Sequence, residues 1–156
     1  MPSDPADRAH VVIRPPLLLL LCLLAGLGLH AAFPLPLVPA ALAAPVGAAL
    51  LAASLALFVW AVRTMLAVGE KLPTHEPTHQ IVRAGPYGWT RNPIYLSFCG
   101  LLLGIAVWVN AIAVLAATVV CCLVLNKGVI EREEHYLESK FGPAYTTYKN
   151  AVRRWL

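Results

Sequence analysis

The sequence predicts an all-α integral membrane protein with about four transmembrane helices, the last two forming a tight helical hairpin, followed by C-terminal amphipathic helices. Of its 156 residues, 59% are hydrophobic and 13% are charged, whereas soluble domains carry about 25% charged residues. The apolar runs are also long enough to cross a bilayer. We expect one membrane domain, 1–156, with two transmembrane helices in 1–66 and a polar loop, the hairpin and the C-terminal helices in 67–156.

The first two apolar runs extend from Pro15 to Phe33 and from about Ala40 to Leu66. Each can cross a hydrocarbon core of roughly 30 Å as a helix. We expect the first to be retained and not cleaved as a signal peptide, because Asp4 and Asp7 weaken the positive region that should precede it. Arg63, near the end of the second run, is predicted either to reach the lipid headgroups or to pair with an anionic substrate.

The third apolar run, from Ile94 to Leu125, contains no charged residue. As one helix it would be roughly 48 Å long, which exceeds the bilayer thickness, so a hairpin that turns near Asn110 is predicted. With this topology all Lys and Arg residues fall on one side of the membrane, which the positive-inside rule makes cytoplasmic, together with both termini. This bias accounts for the net charge of +4, so the charge does not indicate a nucleic-acid partner.

No metal site is predicted. His75 and His79 are four residues apart, but Pro77 between them prevents the helix that would pair them. They are interpreted as loop histidines, with a catalytic or substrate-contacting role as the alternative. The cysteines share a position in apolar segments and lack metal-binding spacing, so we expect them to be packing residues. They are Cys22, Cys99, Cys121 and Cys122.

A dense polar and aromatic stretch, Arg83–Tyr95, precedes the hairpin. Asn92 suits the N-cap of the third segment and Pro93 its first position. The free amides of that helix, next to Arg91, would then offer a site for a carboxylate or another anion. The alternative is that Arg91 and Tyr95 only anchor the helix at the headgroups.

A second polar stretch follows the hairpin. Val129 to Phe141 is predicted to form an amphipathic helix with Glu134 inside its apolar stripe, which is costly unless the carboxylate meets a cation or a donor. From Tyr145 to Trp155 the apolar spacing predicts a last short helix that lies on the membrane or closes over the site. Arg154 on it would bind headgroups or an anionic substrate.

Several short motifs in the second half of the chain together resemble the isoprenylcysteine carboxyl methyltransferase family, whose wider relatives include phospholipid N-methyltransferases. The resemblance covers the chain from roughly Pro73 to its end. The motifs are Gly85-Pro86-Tyr87, Arg91-Asn92-Pro93-Ile94-Tyr95-Leu96, Glu133-Glu134-x-x-Leu137, Phe141-Gly142-x-x-Tyr145-x-x-Tyr148 and Val152-x-Arg154.

This resemblance implies an S-adenosylmethionine-dependent methyltransferase, with S-adenosylhomocysteine as the product and a site on the cytoplasmic side. One departure is that the family usually has His where this chain has Asn92, and Asn cannot take up a proton at neutral pH. The implied catalytic candidates are Arg91, Asn92 and Glu134. The implied cofactor-binding residues are Tyr87, Arg91, Asn92, Pro93, Tyr95, Glu133 and Glu134. Weaker substrate-binding candidates are Arg63, Trp89, Tyr148 and Arg154.

Three functions remain open at this point. The family's type reaction, carboxyl O-methylation of a prenylcysteine-like group, implies a lipophilic acceptor that reaches the site through the membrane. A lipid amine is the enzymatic alternative, and it requires a nearby base, because an amine must lose a proton before it attacks. A non-catalytic membrane scaffold with the same fold is the third possibility, and it is distinguished by a failure to bind the cofactor.

Overall fold

The structure, a computed structural model, describes residues 12–70 and 78–156. His75 and Pro77, on which the argument about paired histidines rests, lie outside these ranges. The described chain is helical and has no strand, only an isolated parallel bridge between Thr90 and Arg153, which confirms the predicted all-α class. Its helices are α1 (Pro15–Ala32), α2 (Ala40–Ala67), α3 (Pro93–Trp108), α4 (Ile112–Leu125), α5 (Glu131–Phe141) and α6 (Pro143–Ala151), with a 3₁₀ turn at Gly85–Gly88 and a π-helical turn at Asn126–Ile130.

The four apolar helices pack in the order α2, α3, α4, α1. Small residues allow the close approaches, as the Ala- and Gly-rich composition of α2 suggests. A Cβ atom added at Gly47 of α2 would lie 2.6 Å from the backbone nitrogen of Trp108, and one added at Gly26 of α1 would lie 2.9 Å from Cα of Val114. Because α2 packs on α3 and α1 on α4, α1 and α2 lie at the two ends of the row.

The hairpin is confirmed, since α3 ends at Trp108 and α4 begins at Ile112. The fourth apolar segment and the amphipathic helix predicted over Val129–Phe141 are not separate elements: Ile112–Phe141 is one continuous helix. No proline interrupts it, and the π-helical turn inserts one extra residue without breaking it. This helix, α1 and α2 are the described helices long and apolar enough to cross a membrane, while α3 is shorter. The charged α5 extends beyond the apolar part of the continuous helix.

The last predicted helix also needs correction, because α6 ends at Ala151 and the segment 152–156 is not helical. The backbone of this segment bonds elsewhere: the amide of Arg91 donates to the carbonyl of Arg153 at 2.9 Å. The carbonyl of Arg153 thus bonds to the loop before α3 and not to an amide of a continued helix. The apolar spacing of residues 145–155 carried no information about that partner.

Asn110 joins the two uncharged turns of the protein. Its φ is +54°, a left-handed conformation that Asn tolerates better than most residues. Its side-chain Oδ1 accepts hydrogen bonds from the amides of Leu37 and Val38 at 2.7 and 2.8 Å. Its Nδ2 donates to the carbonyl of Val38 at 2.9 Å. One side chain therefore fixes the α1–α2 connection against the α3–α4 hairpin.

Replacing Asn110 by Ala should lower the free energy of unfolding by about 2–4 kcal/mol, because it removes these hydrogen bonds and strains the left-handed backbone. Asn110→Gly keeps the backbone conformation and should lose about 2 kcal/mol. Denaturant unfolding of the protein in detergent micelles measures both. The exposed Asn150, changed to Ala, is the matched control, and equal stability of Asn110→Ala and the control would contradict the assignment.

Candidate functional site

A cavity of about 670 Å³ lies at the charged end of the helices. One side of it is polar and aromatic, and the other is formed by the first turn of α1 and the last turns of α2. The structure brings together around it all of the residues that the resemblance implied for the cofactor, and also Tyr148. They are Tyr87, Arg91, Asn92, Pro93, Tyr95, Glu133 and Glu134.

The loop that follows α2 is held against the cavity by Glu70. This side chain is only 3% exposed, and its carboxylate accepts hydrogen bonds from the amides of His79 at 3.0 Å and Gln80 at 2.8 Å. A buried carboxylate is tolerated where it satisfies backbone donors in this way. The sequence analysis missed this residue, because a Glu just after a membrane helix resembles an ordinary surface charge.

Helix α6 covers the aromatic part of the loop. The hydroxyl of Tyr148 donates to the carbonyl of Tyr87 at 2.8 Å, and Nη2 of Arg83 donates to the carbonyl of Ala144 at 2.9 Å. The Arg83 guanidinium also lies 5.7 Å from the centre of the Tyr148 ring, within the range of a cation–π contact. Tyr87 and Tyr148 are both buried, so they form a fixed wall of the cavity.

Glu134 is the centre of the polar wall, and its side chain is 7% exposed. Arg91 approaches it with Nη2 at 3.0 Å from Oε1. Arg154 binds both oxygens, with Nε 3.0 Å from Oε1 and Nη2 2.7 Å from Oε2. A carboxylate in an apolar stripe requires a cation, and Glu134 has two, Arg91 and Arg154.

Arg91 is not the free cation beside a helix end that the sequence suggested, since it is paired with Glu134. The pairing is incomplete, however: its Nε and Nη1 atoms are buried and have no hydrogen-bond partner in the described structure. Its side chain is 8% exposed and lines the cavity. Buried unpaired donors are costly, so these two N–H groups indicate a place for an acceptor, most favourably an anion.

Glu133 forms the second acidic position. The hydroxyl of Tyr95 donates to its Oε1 at 2.6 Å, and the side chain borders the cavity. Burial raises the pKa of Glu133 to about 7, the hydrogen bond from Tyr95 opposes that rise, and the charge of Glu134 adds to it. The group therefore changes its charge close to neutral pH.

Asn92 departs from its predicted capping role. Helix α3 begins at Pro93 as expected, but the Asn92 side chain makes no capping hydrogen bond. Its Nδ2 donates instead to the carbonyl of Arg154 at 3.0 Å. The Asn92 side chain therefore holds the segment that carries Arg154 instead of capping the helix.

The other substrate-binding candidates lie outside the cavity lining. Arg63 is exposed on α2. Trp89 is 71% exposed and contacts the ring of Trp60 edge to face, with 5.4 Å between centroids. Arg154 contacts Glu134 but does not itself line the cavity. Exposed Trp and Arg side chains at the end of an apolar helix are typical of membrane-interface anchors.

Sequence reasoning missed a group of residues that line the cavity from other elements. They come from the start of α1, from α2 and from α5 and α6, and apart from Arg14 no charge sets them apart from neighbouring residues. Tyr136 and Tyr145 fit the helical spacing of amphipathic helices, and this spacing does not show which residues line a cavity. The missed residues include Arg14, Phe58, Met65, Tyr136 and Tyr145.

The raised pKa of Glu133 predicts a pH dependence of stability. Because the folded-state pKa lies above the ordinary value of 4.5, the folded protein binds this proton more tightly than the unfolded chain. The resulting stabilisation is complete below about pH 4.5 and is lost as the pH rises through about 7. The melting temperature of the wild-type protein should therefore decline between about pH 5 and about pH 8 as Glu133 loses its proton. Glu133→Gln should remove the part of this decline that is due to Glu133.

Glu138→Gln on the same helix is the control. Its hydrogen bond from Lys149 lowers the pKa of this exposed carboxyl, so Glu138 titrates below that pH range and the decline should persist. If Glu133→Gln has the same melting temperature as the wild type at every pH, Glu133 is not the group that causes the decline.

The comparisons with known proteins agree with this architecture. The profile of a family described as phospholipid methyltransferase matches residues 42–144, about two thirds of the chain. The chain is also similar to an uncharacterized protein of Haemophilus influenzae (strain ATCC 51907 / DSM 11121 / KW20 / Rd), with 44% identity over 63 residues, which are 40% of this chain and 100% of that protein. The family match spans α2, the loop, the hairpin, α5 and the start of α6, and therefore most of the cavity wall. The chain belongs to the phospholipid methyltransferase family of membrane methyltransferases.

Proposed function

We propose that this protein transfers a methyl group from S-adenosylmethionine to a lipophilic acceptor that enters the cavity from the bilayer. The observation that carries the proposal is Arg91, buried on the cavity wall with two N–H groups that have no partner. Buried N–H groups without a partner favour a hydrogen-bond acceptor, and on a guanidinium an anion makes the strongest one. The cofactor carries one, since its amino-acid part ends in a carboxylate.

The residues of the polar wall suit the other groups of the cofactor. S-adenosylmethionine supplies a methyl group on a sulfonium, which is a very good leaving group. Arg91 would bind the carboxylate, and the ionised Glu133 would bind the ammonium or the ribose hydroxyls. The aromatic wall formed by Tyr87 and Tyr148 offers faces for the adenine or the sulfonium. What these groups contribute is alignment and exclusion of water.

The opposite wall supports a lipophilic acceptor. Pro15 and Leu17 at the start of α1 and Phe58 and Met65 near the end of α2 line it. Residues of both helices therefore offer an apolar surface against which an alkyl or prenyl chain can lie. The polar cofactor would then enter from the charged end, which we assign to the cytoplasmic side, and the acceptor would enter from the lipid.

For the acceptor itself we favour the amino headgroup of a phospholipid, because the matching family is described as phospholipid methyltransferase. Carboxyl O-methylation of a prenylcysteine-like group is the second candidate, on the motifs Arg91–Leu96 and Glu133–Leu137. Incubation with radiolabelled S-adenosylmethionine separates the two. Labelled methyl in vesicles that contain phosphatidylethanolamine, stable to mild base, supports the amine. Base-labile label on an S-farnesylcysteine analogue supports the ester, and no transfer to either acceptor contradicts both.

Arg91→Lys should weaken binding of S-adenosylhomocysteine by about tenfold to a hundredfold, because Lys can retain an ion pair with Glu134 but lacks the two unpaired N–H groups. Isothermal titration of the protein in detergent measures this affinity. Ser139→Ala, an exposed change on α5, is the control and should bind as the wild type does. Absence of binding by a folded wild-type protein would overturn the proposal and favour a non-catalytic scaffold.

A further inference from the structure

Two arginines share one carboxylate in this site, and they share it unequally. Arg154 forms a two-point fork, with Nε and Nη2 on the two oxygens of Glu134 at 3.0 and 2.7 Å. Arg91 contacts only Oε1, through Nη2, at 3.0 Å. A side-on fork is the geometry that best matches a guanidinium to a carboxylate. Arg154 therefore occupies the position on Glu134 that Arg91 would otherwise take.

This unequal sharing keeps Arg91 available to a ligand. Two guanidinium groups meet at the one buried carboxylate of Glu134, and Arg91 makes only one of the contacts with it. Glu131 lies 3.5 Å from Nη1 of Arg154 and compensates the outer guanidinium. The remaining donors, Nε and Nη1 of Arg91, have no partner in the described structure.

The position of Arg154 is fixed by its own backbone and by its neighbours. Its carbonyl accepts hydrogen bonds from Nδ2 of Asn92 at 3.0 Å and from Oγ1 of Thr90 at 3.1 Å. Its Nη1 donates to Oδ1 of Asn126 at 3.2 Å, in the π-helical turn. These contacts come from residues on both sides of Arg91 and from the long helix. The first two contacts fix the backbone of Arg154, and the guanidinium cannot swing away from Glu134 without breaking the third.

We propose that Arg154 is a positioning residue that never touches the ligand: by holding Glu134 in a fork, it keeps the two inner N–H groups of Arg91 free for the ligand carboxylate. Without Arg154, Glu134 takes Arg91 into a two-point pair of its own and the carboxylate subsite closes. Asn92 contributes by holding the Arg154 carbonyl, a task for which a side-chain amide suffices. The inference rests on the proposed function, because it assigns a role within the same cofactor site.

The test compares two ligands that differ in one group. S-adenosylhomocysteine carries the carboxylate, and decarboxylated S-adenosylhomocysteine lacks only that group. Arg154→Gln should weaken binding of S-adenosylhomocysteine about tenfold or more and leave binding of the decarboxylated ligand unchanged, as measured by isothermal titration. Arg153→Gln is the matched control, because it removes the same charge from the adjacent exposed residue, and it should change neither affinity.

Each other outcome overturns a stated claim. If Arg154→Gln weakens the binding of both ligands equally, Arg154 has only a structural role. If it does not weaken the binding of S-adenosylhomocysteine, the positioning role is refuted directly. If Arg154→Gln does not fold, Arg154→Lys retains the charge without the fork and should show the same selective loss, smaller in size. Failure of the wild-type protein to bind either ligand would instead refute the proposed function, so the two failures are distinguishable.

Discussion

The buried carboxylate of Glu134 is the interaction on which the rest of the charged end depends. Removing a carboxylate from water costs several kcal/mol unless cations and donors replace the solvent. Glu134 meets Arg91 and Arg154, and in doing so it joins the continuous helix, the loop before α3 and the segment after α6. Three parts of the chain far apart in sequence thereby acquire a common anchor, and the cavity lies between them.

The long helix Ile112–Phe141 connects the membrane to this anchor. Its apolar half packs between α3 and α1, and its charged half supplies both glutamates of the cavity. The π-helical turn between the halves exposes Asn126, whose Oδ1 accepts hydrogen bonds from Arg154 and, at 3.3 Å, from Nε1 of Trp155. An irregular turn in a helix often marks a functional position, and here the turn begins at the residue whose side chain accepts from both Arg154 and Trp155.

The cavity has a polar wall and an apolar wall. Its polar wall offers charges and hydrogen-bond donors, which are effective because water is excluded. Its apolar wall belongs to α1 and α2, whose outer surfaces suit lipid. Neither wall forms the cavity alone, since Arg91 from the loop and Phe58 and Leu17 from α2 and α1 all line it. The site is a property of the helix row and not of any single motif.

By itself the sequence determined the all-α class, the near-exact limits of α1, α2 and α5, the hairpin at Asn110, and the residues of the polar wall, because apolar run length, helical spacing, proline and short motifs are local signals. Tertiary structure alone decided what those residues contact. The carbonyl that Asn92 holds, the fork that Arg154 forms and the amides that Glu70 accepts lie in distant or irregular segments, and no periodicity encodes such pairings. The same physical reason explains why the last predicted helix stops at Ala151: a hydrogen bond to a distant partner can replace one within the helix, and only the folded chain shows where.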